Sequence, residues 1–280
     1  MPVDTPEENF RTEPPAIEVT PAEPPAYRES NLWSWNDLVL FLVFTAVAFL
    51  ASSVLVTLGY VALRSAAGWQ TSPPGDQVNP MFLLTMQVAF YGALLAFVYV
   101  LIVAIHGQPF WSSLKWRKLS ARRTFGYFLG GIVMAVSVQF APALLPDKAD
   151  FPLEQMFTSP QVAFALAGFA TLLAPFMEEL VFRGVLFAIF ERQAGSRFAI
   201  ATTAVLFAAL HVPEYRGAWN HILLIFLVGV VFSLTRGQTG SVAPSFMLHF
   251  SYNLSLMTGL FFATHHFRTL HAMLAGALPW

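Results

Sequence analysis

The 280-residue chain contains no cysteine. Disulfides, thiolate metal sites and a cysteine nucleophile are excluded together. Any chemistry is left to carboxylate, imidazole and hydroxyl groups, or to a metal held by nitrogen and oxygen. Charge is scarce as well: 11% of residues are Asp, Glu, Lys or Arg, where a soluble domain carries roughly 25%. The formal net charge of −1 leaves no basic footprint for nucleic acid. No internal repeat is evident, so an inverted-repeat transporter is not suggested. What abounds is apolar, with 56% hydrophobic residues and a mean hydropathy of +0.60. The expected fold is an all-α polytopic membrane bundle of seven to eight transmembrane helices.

Residues 1–31 differ from all that follows, being rich in proline and acidic charge with few large apolar side chains. Such a segment cannot bury enough surface to fold and is expected to be a disordered cytoplasmic tail. It lacks the basic start and short apolar core of a signal peptide. The first apolar run, Leu38 to Leu63, is therefore expected to be a retained span, and 32–280 the transmembrane domain. A crossing needs about 20 apolar residues, which places spans near 38–63, 80–105, 124–145, 161–190, 198–212, 219–235 and 241–264. The segment 265–280 is either an eighth helix or an interfacial one. Lys115, Arg117, Lys118, Arg122 and Arg123 cluster between the second and third spans. Basic loops stay inside, so this face and the N-terminus are expected to be cytoplasmic, in a multi-pass cell (inner) membrane protein. The stretch 106–119 is expected to lie along the inner surface of the bilayer.

Ionisable groups inside spans are costly and usually functional. Glu178 and Glu179 sit in the fourth run with Arg183 behind them, His211 ends the fifth, and His249 and Asn253 share the seventh. Glu179 and Arg183, four apart, share a helix face, whereas Glu178 is rotated by about 100°. Arg183 should therefore pair with Glu179 and leave Glu178 as the free carboxyl, a suitable general base. Pro175 should loosen the helix one turn upstream. Glu178 lies 16 residues before Ala194 and His211 lies 17 after it, so a hairpin there brings them level. His249, 11 residues past the midpoint of the 236–240 turn, would be about 8 Å shallower at 1.5 Å per residue. Each residue also has a bland reading. Glu179–Arg183 can be a neutralised structural pair, His211 an interfacial histidine, and Asn253 an interhelical hydrogen bond.

Taken in order, Glu178-Glu179-x-x-x-Arg183, Phe207-x-x-x-His211 and His249-x-x-x-Asn253 resemble the three motifs of the CPBP family. That family includes the type II CAAX prenyl endopeptidases and the bacteriocin-processing and immunity relatives called the ABI group. The resemblance spans about 161–264 and implies a metal-independent glutamic intramembrane endopeptidase with no cofactor. It implies that Glu178 activates water with His211, and that His249 and Asn253 stabilise the oxyanion. Glu179 and Arg183 would support the site, and Phe207 would line it. A neutral imidazole and an amide N–H are the expected oxyanion donors. Implied partners are the lipid bilayer and a membrane-associated peptide or protein substrate. Three other readings stand beside it: a zinc-dependent protease using His211 and His249, a non-catalytic immunity or scaffold protein, and a proton-coupled carrier. The two-histidine helix motif of zinc proteases is absent.

Overall fold

The computed structural model describes residues 1, 32–67, 79–140, 158–215 and 217–269. The acidic tail and residues 270–280, on which the eighth-span expectation falls, lie outside the described residues. Every described element is helical or a turn, with no strand among them. Each of the seven expected spans coincides with a continuous helical rod, the third as far as Phe140, where the described residues pause.

The rods begin where short polar side chains cap them. Ser34 and Asp37 form a reciprocal capping box at the start of α1, Trp35–Ala66. Asn79 caps α2, Pro80–Tyr99, whose first residue is a proline with no N–H to satisfy. A π turn over Val100–Ile105 ends this rod, and the one-turn helix α3, Phe110–Ser113, follows it. α4 is Ala121–Phe140. The fourth rod is compound. It runs as α5 Pro160–Gly168, a π turn Phe169–Leu173, α6 Ala174–Glu179, a π turn Leu180–Leu186 and α7 Phe187–Ala194. Gly195, at φ 85°, reverses the chain into α8, Ser196–His211. α9, Trp219–Thr239, ends at Gly240, whose φ of 62° makes the left-handed C-cap. α10 is Val242–Ala263. By length and composition, Trp35–Ala66, Pro80–Ile105 and Trp219–Thr239 are apolar enough to cross a membrane, and α8 is a shorter apolar helix.

α10 packs along α4 and α9 and against α6, while α8 lies between α7 and α9. The α4–α10 contact depends on Gly131. A Cβ there would sit 2.3 Å from the Leu248 carbonyl oxygen and 1.9 Å from Ser251 Oγ. Gly131→Ala therefore forces α4 away from the helix that carries His249 and Asn253. Overpacking of this kind costs about 1–3 kcal/mol. The expected result is a lower unfolding midpoint in detergent, whereas Gly126→Ala on the same helix, with open space around it, should change little.

The stretch after α2 is anchored to the bundle at Leu114. Leu114 is fully buried and presses on Gly184, where a Cβ would lie 3.0 Å from Leu114 Cδ2. The Lys115 carbonyl accepts the Val242 N–H at 3.1 Å, and Arg117 N–H donates to Ser241 Oγ at 3.3 Å. The segment is a plug beneath α10 with its cations outside. The start of α1 is tied to the same end. His106 Nε2 meets Asp37 Oδ1 at 2.8 Å, Trp33 Nε1 donates to the Ser113 carbonyl at 3.3 Å, and Arg192 donates to the Leu32 carbonyl.

Candidate active site

Glu178 and Glu179 sit at the seam between α6 and the second π turn, and both π turns leave a carbonyl looking for a donor. In the first turn the Ala174 N–H reaches back five residues to the Phe169 carbonyl. Continuing that register, the donor for Ala170 would be the nitrogen of Pro175, which has no hydrogen. Asn253 Nδ2 supplies it from α10 at 2.7 Å. In the second turn Phe187 N–H reaches back to Phe182, and the return to the α turn skips a carbonyl. The Arg183 carbonyl accepts Arg236 Nε–H from α9 at 3.1 Å. Arg236 is 2% exposed, with its guanidinium 4.8 Å from the Phe187 ring. One side chain from each neighbouring helix thus pins the two irregular turns that flank the glutamates. The second turn also winds more residues into less length, which draws Glu178 part of the way toward the level of His249.

Glu179 and Arg183 are both fully buried. Arg183 Nη1 donates to Glu179 Oε1 at 2.9 Å and Nη2 to the Gly229 carbonyl at 3.0 Å. The guanidinium also lies over Phe207 and Phe232, at 4.7 and 5.2 Å from the ring centroids. Glu178 is not isolated. His249, 4% exposed, stands between the carboxylates with Nδ1 3.1 Å from Glu179 Oε1 and Nε2 3.7 Å from Glu178 Oε2. Its ring stacks on Phe232 at 4.6 Å and meets the Phe207 edge at 5.8 Å.

These contacts decide where protons sit. A carboxylate paired to Arg183 can only accept, so His249 Nδ1 carries a hydrogen. A neutral His249 would then present a lone pair at Nε2, and the expected neutral-imidazole donor is unavailable there. Nε2 donates only in the imidazolium. His211 Nδ1 faces the Phe207 carbonyl at 2.8 Å, and a carbonyl accepts as well. His211 therefore holds its hydrogen on Nδ1 and leaves the Nε2 lone pair free.

Two further groups escape a search restricted to the three motifs. Glu214, in the turn after α8, lies within electrostatic range of both His211 and Glu178, and its N–H donates to the His211 carbonyl at 3.1 Å. The half-buried Tyr91 of α2 is within range of Glu178 and Glu214. The signal for Glu214 was its position three residues after His211, which reads in sequence as an ordinary loop charge. Glu214 keeps accessible surface, yet the protein packed around it raises its carboxyl above the usual glutamate range. His211 opposes the rise and the Glu178 charge adds to it. A carboxyl raised on folding stabilises fully below its unfolded pKa, and that stability is lost as pH rises toward the folded value. Glu214→Gln should therefore raise the melting midpoint at about pH 8 and leave it unchanged at about pH 4. An equal shift at both values would show that the carboxyl charge is not the cause.

Among the described residues no three His, Asp or Glu side chains are arranged to hold a metal ion. The His249 nitrogens both face carboxylates, whereas the half-exposed His211 uses its Nδ1 on its own helix. Beside the site, Met134, Ser137 and Val138 of α4 face Leu224, Leu227, Val228 and Val231 of α9 across an apolar groove of about 210 Å³.

Residues 160–255 match the family model described as Type II CAAX prenyl endopeptidase Rce1-like. The match takes in about a third of the chain and holds every residue of the three motifs. No curated protein and no solved structure matches the chain.

Proposed function

With residues 160–255 matched to an Rce1-like domain, we propose that the protein is an intramembrane glutamic endopeptidase. Its substrates are peptide bonds of membrane-associated or lipid-anchored proteins. The observation that carries this reading is His249 held between two glutamates, beside an His211 whose Nε2 lone pair is free. Two carboxylates need two cations in a low-dielectric bundle. Arg183 is one, and His249, between the two carboxylates, is placed to carry the other as charge develops in the reaction. A proton taken up there puts an N–H on His249 Nε2, aimed at the Glu178 side of the cleft.

In the reaction, a water molecule gives its proton to Glu178 or to the Nε2 of His211. Its oxygen bonds to the peptide carbonyl carbon. Negative charge collects on the carbonyl oxygen, where His249 Nε2–H and the second amide hydrogen of Asn253 stabilise it. Collapse breaks the C–N bond, and the departing amine takes up the proton that the base had removed. Asn253 spends its first hydrogen on Ala170, so its structural and catalytic uses are compatible. Glu179 and Arg183 orient His249, and Phe207 fixes His211. The basic loops and the N-terminus face the cytoplasm in the cell membrane, as the Lys and Arg placement argues.

The test is cleavage of a quenched peptide library by purified protein in detergent, with and without chelator, wild type against His211→Ala. The expected result is cleavage that ignores the chelator and falls in the variant. Loss on chelation would transfer the chemistry to a metal on His211. Absence of any cleavage would favour the immunity or scaffold reading.

A further inference from the structure

The cleft has a closed end and an open end, and they differ in charge. Below the glutamates, toward the turns at Gly195 and Gly240, the bundle is solid. Leu114, Val185, Phe187, Ile189 and Val242 are buried to 0%, and Arg236 seals the space beside them. Above them the packing loosens on α8, α9 and α10, while Ala163, Leu166 and Phe267 form a small buried cluster of their own. From α10, Tyr252, Asn253 and Ser255 are half-exposed, and on α8 the residues after Ala208 are half-exposed or exposed. No residue of α9 before Val228 is buried. The Glu178 side chain is 21% exposed and that of Glu179 is 0% exposed, so the polar groups line up from a sealed floor toward an accessible mouth. The Asn253 amide and then Glu214 mark the way out.

Lys115, Lys118, Arg122, Arg123, Arg192 and Arg197 all lie at the sealed end. At the open end the described residues hold Arg64, in the last turn of α1, and Arg268. A lysine- and arginine-rich face stays in the cytoplasm. The two gradients run against each other.

We infer that the cleft opens on the extracytoplasmic side of the membrane. It then takes polypeptide segments that have already crossed the bilayer, rather than cytoplasmic tails. The substrate class rests on the peptidase reading above; the direction of opening does not, because it is read without turnover.

The absence of cysteine makes the test direct. Single-cysteine variants Glu178→Cys in the cleft, Glu214→Cys at its mouth, and Lys118→Cys and Arg197→Cys on the sealed face are treated in intact spheroplasts with a membrane-impermeant maleimide. The expected result is labelling of Glu178→Cys and Glu214→Cys before permeabilisation, and of Lys118→Cys and Arg197→Cys only after it. If Glu178→Cys fails to elute as a folded species, Tyr91→Cys, within electrostatic range of Glu178, probes the same side of the site. Labelling of the cleft and Lys118→Cys from one side would overturn the inference. So would a cleft cysteine that stays unreactive while Glu214→Cys reacts. Outward labelling from a protein that cleaves no peptide would sink the peptidase reading and leave the direction of opening intact.

Discussion

Glu178→Gln abolishes peptide cleavage and leaves the protein folded. The amide keeps the shape of the carboxyl but cannot take a proton from water, and a positioned general base contributes about 10²–10⁴-fold. The side chain is partly exposed, and its contact with His249 Nε2 at 3.7 Å is long for a hydrogen bond. Little folding energy is therefore at stake. The measurement is kcat/KM on a peptide that the wild type cuts, paired with a melting curve. Cleavage at a tenth of the wild-type rate or better would move the base to His211 alone. A collapse of the melting point would show that Glu178 is structural instead. His211→Ala separates the two acceptors: a similar loss in both variants means that the carboxyl and the imidazole act on one water.

The helical rods were legible because membrane spans announce themselves by composition, and the boundaries fell near the caps Ser34, Asn79 and Ser159. The spacing of Glu179 and Arg183 was legible for a similar reason, since four residues always bring two side chains to one face. The π turns were not. Pro175 signals a lost donor, but whether the helix answers by kinking or by widening depends on Asn253, 78 positions later in the chain. Arg236 was invisible as a site residue because a cation after an apolar run reads as an orientation signal. The carbonyl of Arg183, the Phe187 ring and Glu191 give it another use. Leu114 read as part of a surface segment because nothing local tells a leucine facing lipid from one pressed on Gly184. Each miss is tertiary: a partner from another rod chose among conformations that the local sequence leaves open.

Arg183→Met should be the most destabilising single change in the site. The guanidinium is fully buried and serves Glu179, the Gly229 carbonyl and two aromatic faces at once. Its removal leaves the Glu179 carboxylate in the core with His249 as the remaining counter-charge. Breaking a buried pair in this way costs about 3–5 kcal/mol, which in a marginally stable bundle is enough to shift most of the unfolding curve. The cost arises from the orphaned charge rather than from the lost contact, and that makes a sharper prediction. The double variant Glu179→Gln with Arg183→Met removes both charges and should recover much of the stability. It should not recover cleavage, because His249 then has no anion at Nδ1 to hold the imidazolium. Unfolding in detergent and peptide turnover, read on the single and double variants together, check both halves. A double variant no more stable than the single would show that packing, not charge, is what Arg183 supplies. One that regained turnover would remove the argument for a charged His249.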